Sequence, residues 1–455
     1  MNWRVLVVTL SVGLTTPAVT HAVEGGIPNA TIPVIPGAEG FGIHTSAGRG
    51  GKVYKVTNLN GDGQGSLTEC LMASGPRVCV FEVGGEIQLD NDLIVLNSYL
   101  TVAGQTAPPP GITIRDGGLR IATHDVLIQH IRVRLGTKNG RSVNGVALSV
   151  RGENHGSNNS ANIVIDHVSL SWAWNKLFDT WSPGVSDVTV SNSILSEPLH
   201  RSINSTGPQS NAMLIGPGHQ RIAIVGNLFA HANHRSPYLK GGSSSAIINN
   251  LIYNAAWQAI QLEDGEGVGM IRSSIVGNVV VLGPDSRNDL PLLQVKNDVT
   301  AGGVFLQDNM HPLASNDPWV SVVENLSGNS VKSATPVVEI SDFRVSPARV
   351  VEDQVLCHAG ALPFFRDVTD RRIMQETASR TGRRIDCVEG GESGCRISAG
   401  GWPDSKATFR KLVIPYRPSD DDDKDGYTNL EEWLHEFSRY VERPSADCAS
   451  KGRLN

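Results

Sequence analysis

The chain is short of aromatic residues, short of charge, and without any surplus of positive charge. Phe, Trp and Tyr make up 5% of its 455 residues, and charged residues 18%. So little charge, set against 40% hydrophobic residues, excludes a long disordered chain. Lys and Arg number 39 against 45 Asp and Glu, a formal net charge of −6 that argues against a nucleic-acid partner. Long apolar runs are missing too. Only Val5 to Leu14 is nearly unbroken, and it falls short of the roughly 20 residues a transmembrane helix needs, so no membrane partner is expected. No Cys-x-x-Cys pair occurs, and the cysteine spacings match no zinc site. What is abundant is glycine, with 48 residues. A chain poor in large side chains and rich in turn formers must build its core from many small aliphatic contributions. That points to numerous short strands, although a prior of about 150 residues per domain would suggest three domains.

The first residues read as an export signal. Arg4 gives a small positive region, Val5 to Leu14 the apolar stretch, and Thr20-His21-Ala22 a small-residue cleavage site, so residues 1–22 are expected to be removed. The mature protein would be secreted, extracellular or periplasmic. Six cysteines in an oxidising compartment suggest up to three disulfides. Cys70 with Cys79 and Cys387 with Cys395 are close in sequence, leaving Cys357 with Cys448; fifteen pairings are open to six cysteines, and this is the expected one.

From about Thr31 to about Asp342 one idea recurs: a short β-branched run, a His or Asn, then another apolar pair. It appears at His130, His167, Asn192, Asn227, Asn250 and Asn278, with spacings of 37, 25, 35, 23 and 28. A constant corner with a variable gap is what a parallel β-helix produces, each coil keeping its bend while other loops grow or shrink. The polar residue is expected to form a buried ladder between coils, so none of these His or Asn residues is by itself a metal ligand. The β-helix domain is expected over residues 23–345. Residues 346–455 form a loop-rich, partly helical region that packs on the solenoid and covers its open ends. Within it, Arg366 to Gly382 has helical spacing, with Asp367 as N-cap and Gly382 as the stop.

Several blocks resemble a known family. Pro36 to Gly42 (PGAEGFG) and Gly48 to Leu67 (GRGGKVYKVTNLNGDGQGSL) are similar to the opening of bacterial pectate lyases of polysaccharide lyase family one. The similarity continues through LTVAGQTAPPPGITI, VLIQHIRVRLG, NIVIDHVSLSW, NLFAHANHRSPYL, AGALPFFRDVTDRRI and GGWP. The resemblance implies an all-β fold, a right-handed parallel β-helix. It also implies cleavage of polygalacturonate or pectin by β-elimination, in which a base takes the C5 proton of a uronate and the C4 oxygen leaves. Arg235 begins R-S-P-Y-L-K, similar to the family's R-x-P-x-x-R, and is therefore the expected catalytic residue. Lys240 stands where that signature ends in arginine and is expected to contact a substrate carboxylate. An arginine is protonated at all ordinary pH values, so stabilising the charge that develops is easier for it than acting as a general base.

Two departures bear on calcium. Where the family carries an acidic ligand ahead of the I-D-H strand, this chain has Val146; after Ser171-Trp172 it has Ala173, Trp174, Asn175 and Lys176 in place of an acidic pair. Asp179 alone cannot hold a hard cation. Lys176 is then expected to supply the charge that calcium would have supplied, as in calcium-independent pectin lyases. The remaining alternatives are a non-catalytic uronan-binding β-helix or a structural one. A glycoside hydrolase would need paired carboxylates at a matched separation, and no clustered aspartates stand on the strands around Arg235. A monomer is expected.

A second metal question arises at residues 421–432. Asp421, Asp423, Asp425, Tyr427 through its carbonyl, Asn429 and Glu432 follow the spacing of an EF-hand loop, with Gly426 at the sharp turn. Pro415 and Pro418 deny it a preceding helix, so a half EF-hand with structural Ca²⁺, followed by a helix over Leu430 to Tyr440, is expected. Between Ser419 and Glu432 lie seven acidic residues and one lysine, which is the whole net charge; elsewhere 38 acidic residues balance 38 basic ones. The acidity belongs to one loop and does not argue against a polyanionic substrate.

Overall fold

The short aliphatic runs stack coil upon coil into three sheets. The computed structural model describes residues 32–136, 144–152, 159–201, 207–296, 298–299, 302–313, 316–324, 331–444 and 448, and the expected export signal lies outside them. Among these residues the first sheet has eleven strands and the second and third nine each; all pair in parallel except Thr408–Phe409. One coil shows the path. Ile163–Asp166 lies in the first sheet, the chain turns at His167, Ser169–Ser171 joins the third, Lys176–Trp181 joins the second, and Ser186–Ser191 re-enters the first. The architecture is a parallel β-helix.

Register explains why small side chains suffice. In the third sheet Val133, Leu170, Leu195, Phe229, Ile252 and Val280 pair in one continuous row. All of them belong to the single interior core and are essentially inaccessible. Each buried side chain of this kind contributes roughly 1.5–3 kcal/mol of transfer free energy. The outward row of the same sheet, Ile194, Leu228, Leu251 and Val279, is equally apolar. Strands apolar on both faces need a cover outside as well.

The polar ladder is real, but the expected register is half right. Asn227 donates to Asn250, Asn250 to Asn278 and Asn278 to Asn309 through their side-chain amides, each near 3.0 Å. The residue before each of the first three takes a left-handed conformation, with Gly226 and Gly277 at φ +67° and Asn249 at +53°. His130, His167 and Asn192, at φ +57°, +49° and +48°, occupy that preceding corner position, one residue short of the ladder. Ser193 holds the ladder place beside Asn227. Asn and His tolerate the left-handed region better than most residues, so one residue type serves two adjacent positions and the sequence pattern merges them.

Helix α1 (Leu67–Met72), capped by Ser66, buries Leu67, Cys70 and Leu71 against the first coil. The Cys70–Cys79 disulfide fastens it there. The other two disulfides are Cys357–Cys448 and Cys387–Cys395, the pairing expected from spacing, and no cysteine is free among the described residues. After the last parallel strand, Lys332–Ser333, come α2 (Ala348–His358), α3 (Val368–Ser379) and α4 (Asn429–Val441). Asp367 caps α3 as its spacing foretells, but the helix stops at Arg380 in the left-handed conformation, two residues before Gly382. Helix α2 has no counterpart in the sequence reading.

This region does not chiefly plug the ends. Val351, Val355, Leu356, Ile373 and Met374 of α2 and α3 lie along the outward row of the third sheet. Leu430 and Leu434 of α4 cover Val78, Val80 and Ala103 on the first. Among the described residues of this region, only Thr408–Phe409 closes a sheet edge, pairing antiparallel with Val83–Gln88. The apolar outer faces demanded a flank cover, and the helices supply it.

Candidate active site

Among the described residues no helix packs on the outer face of the second sheet, and there the side chains shape a cleft of about 780 Å³. Arg235, Lys176 and Lys240, the three residues singled out in the sequence, all line it. The cleft is cationic: Arg151 and Lys296 also face it, against Asp179, Glu263 and Glu266.

Arg235 sits at the corner that opens the strand Tyr238–Lys240, in the left-handed conformation at φ +69°. Its backbone is held on both sides: its carbonyl accepts from the Met213 N–H at 2.7 Å, and the next N–H, of Ser236, donates to Ala259 at 2.9 Å. The guanidinium lies 5.1 Å above the Tyr238 ring, and its buried Nε has no hydrogen-bond partner among the described residues. Burial lowers its proton affinity below the ordinary arginine value, against the pull of Tyr238 and Glu263. Burial, aided by Glu263, raises the Tyr238 phenol, which therefore stays protonated. The neighbouring His234 is pushed down to about 4 by burial and by the charges of Arg235 and Lys296, so it is neutral.

Lys176 begins its strand in register with Val146 and Asn211. Its Nζ lies 3.4 Å from Asp179 and 3.2 Å from the Asn175 side-chain oxygen. Burial lowers its proton affinity, with Asp179 opposing and Arg235 adding to the effect. Asp179 is itself fully committed: it accepts from Ser149, lies 3.3 Å from Arg151, and is buried. A hard cation there would have to displace two cations from the carboxylate, so the donor set does not fit an active-site calcium. Lys240 pairs with Glu266 at 2.8 Å, so its charge is partly compensated.

Sequence reasoning missed Arg151 and Lys296. Arg151 was accessible to it: Ser149 and Arg151 alternate along one strand, Val146–Arg151, and strict alternation puts both on one face. Lys296 follows the short strand Leu293–Val295, beyond any block of resemblance. Gly216 to His219 is a turn, with His219 bound to Thr180 at 2.7 Å and to the Ser182 carbonyl at 2.8 Å.

The acidic loop is separate from the cleft. Carboxylate oxygens of Asp421, Asp423 and Asp425 converge within 4.8 Å of one another. Asp421 accepts from the Lys424 and Gly426 N–H groups, and Asp425 from that of Tyr427. Desolvation first, and then the charges of Asp423, Asp425 and Asp421, raise the Glu432 carboxyl, which is not one of the three converging groups. Asn429 opens α4 behind a Thr428–Glu431 capping box.

No protein-family model matches the chain. Over 260 residues it is 33% identical to a protein named probable pectate lyase C from Aspergillus flavus, covering 56% of this chain and 56% of that protein. Over 254 residues it is 34% identical to one of the same name from Aspergillus fumigatus, covering 55% and 54%. The chain thus spans about half the length of the curated relatives it matches. Among solved structures its fold is similar to that of jun a 1, the major allergen of cedar pollen, with a TM-score of 0.52 at 17% identity over 70% of this chain and 91% of that one. It is also similar to a Bacillus sp. pectate lyase solved in complex with trigalacturonate, with a TM-score of 0.50 at 16% identity over 71% and 98%. In sequence the chain is similar to pectate lyases, and it shares their β-helix fold.

Proposed function

We propose that the protein is a secreted lyase that cleaves polygalacturonate or pectin by β-elimination in the cleft of the second sheet. The observation that carries this reading is Arg235, which sits at a left-handed corner and, among the described residues, makes no ion pair although it lines a cationic cleft. A uronate bound there meets Arg235 at C5, with Lys176, Arg151, Lys240 and Lys296 available to its carboxylates. Transfer of the C5 proton to Arg235, in the neutral form that burial makes more accessible, places charge on the adjoining carboxyl group, where the other fixed cations stabilise it. The C4–O bond then breaks, its electron pair leaves with the glycosidic oxygen, which takes up a proton, and a C4=C5 double bond remains. The lowered proton affinity of Arg235 brings it nearer to a base than a solvated arginine would be. Lys176 stands in for an active-site calcium, so turnover is independent of that ion. The three disulfides support an oxidising, exported setting.

The test is the ultraviolet absorbance of new unsaturated ends, on pectate and on methylated pectin, with and without a calcium chelator. Absorbance unaffected by the chelator is expected; no product from either polymer would remove the lyase reading. The loop at 421–432 is part of the same proposal as a structural Ca²⁺ site, held by Asp421, Asp423, Asp425, the Tyr427 carbonyl, Asn429 and Glu432. Chelation is expected to lower the melting temperature by several degrees, through loss of bound-state stabilisation. An unchanged melting temperature would mean that the loop holds no ion that matters to the fold.

A further inference from the structure

A second cluster of metal-ligating side chains lies at the corner joining the first and third sheets, away from the cleft on the second. His130 and His167 occupy the same corner position in successive coils, and their rings stack at 5.1 Å with 16° between planes. Asp166 lies beside His167, and Glu442, just past the end of α4, reaches in from the C-terminal region. One ligand atom from each of the four lies within 4.8 Å of all the others. The two histidines and Asp166 are buried, and the Glu442 side chain is 29% exposed.

Hydrogen bonding fixes what these atoms can be. His130 Nδ1 lies 2.7 Å from the Ala361 carbonyl, which only accepts, so Nδ1 carries a proton. In the neutral ring Nε2 is then an acceptor, and it faces a Glu442 carboxylate oxygen at 3.1 Å. His167 Nδ1 faces Asp166 at 2.7 Å and Glu442 at 3.9 Å. Two acceptors in contact need a positive centre between them. At the His130–Glu442 contact that centre is either a proton or a cation shared by all four groups; His167 Nδ1, facing Asp166, carries its own proton or meets the same cation. Two neutral imidazoles and two carboxylates carry a charge of −2, which a single divalent ion neutralises.

We propose that His130 Nε2, Asp166, His167 Nδ1 and Glu442 form a structural site for a divalent transition metal of the zinc class. Two nitrogens and two carboxylate oxygens suit such an ion and not calcium, which takes oxygen ligands. Metal bonds of ~2.0–2.1 Å in a tetrahedron put ligand atoms about 3.4 Å apart, and the observed separations of 2.7, 3.1 and 3.9 Å bracket that value. The surroundings supply the outer contacts that orient metal ligands: the Ala361 carbonyl on His130, and Ser191 and Asn192 donating to the other oxygen of Asp166 at 2.7 and 3.0 Å. Four protein ligands leave no open position, so the role is to hold the fold. The ion would tie the chain after α4 to two coils, next to the Cys357–Cys448 disulfide.

The test uses the full mature chain, stripped of metal and then saturated with calcium so that the acidic loop is filled. Titration with Zn²⁺ is expected to show one tight site per chain, and Co²⁺ to give the strong visible bands of a tetrahedral nitrogen–oxygen site. Glu442→Gln, at the accessible edge, is expected to weaken Zn²⁺ binding at least 100-fold and to abolish the rise in melting temperature that Zn²⁺ gives the unaltered protein. Absence of a tight Zn²⁺ site in the unaltered chain, or equal binding by Glu442→Gln, would overturn the proposal and leave a metal-free network of charged imidazoles. Because the cobalt spectrum is read on the unaltered chain, the outcome does not depend on how the variant folds.

Discussion

Two faces of the same solenoid carry arginines, and they treat them in opposite ways. On the third sheet Arg132 and Arg134 are buried beneath α3 and meet Asp367 and Asp370 at 2.6 to 3.5 Å. Burial works against the Asp367 carboxyl, yet Arg134 and Arg132 hold it well below the usual carboxylate range. Nearby, Arg372 reaches Glu197 at 2.7 Å, and burial is likewise overcome there. On the second sheet the cations outnumber their acids, and among the described residues Arg235 makes no ion pair, whereas Arg132 and Arg134 do although each also leaves one nitrogen unbonded. Paired charges glue a cover onto a sheet, whereas an uncompensated charge is held for something that arrives. The uncovered face is the one on which that something can arrive.

The sharpest way to break this comparison is to alter the unpaired arginine. Arg235→Lys keeps the charge but moves it and loses the planar fork, and turnover on pectate is expected to fall by about 1,000-fold or more. The melting temperature should not move, because the side chain has no partner at Nε to lose. Retained turnover would put the chemistry elsewhere in the cleft. The converse change is Asp370→Asn, which leaves Arg132 and Arg134 buried with half their compensation. A loss of about 3 kcal/mol in unfolding free energy is expected, with turnover per folded molecule unaltered. If Asp370→Asn reduced turnover and left stability intact, the two faces would have exchanged roles.

Much of this contrast was legible in the sequence, for physical reasons that also mark where it stopped. The β-helix showed because each coil must repeat its corner, and the corner tolerates few residue types. Arg235, Lys176 and Lys240 showed because the chain resembles a family there, and the cleft does bring them together. Their partners did not show. Arg151 reaches Asp179 across one coil, and Glu266 reaches Lys240 from the next loop, and loop lengths vary too much for spacing to predict such contacts. His130 and Glu442 are 312 positions apart, and only the packing of α4 on the first sheet brings them together. The merged Asn ladder and His corner show the limit from the other side: the residue types were right, and their register was off by one.

The smallest expected effect sharpens the comparison through pH. His234 stands beside Arg235 among cations, and burial together with Arg235 and Lys296 depresses it to about 4. In the unfolded chain the same histidine takes a proton near the ordinary value of about 6.5. Between these values the unfolded state binds a proton that the folded state refuses, so stability falls as pH drops through that window and the slope ends below about 4. Acid loss from the Asp367 cluster begins only below about 3.9, where the unfolded carboxylate is protonated, so the two faces separate on the pH axis. Denaturant unfolding between pH 7 and pH 4 is expected to show a shallower decline for His234→Gln than for the unaltered protein. Equal slopes would mean that His234 is solvated in the cleft, and that the cations around Arg235 are screened by water instead of waiting, uncompensated, for a polyanion.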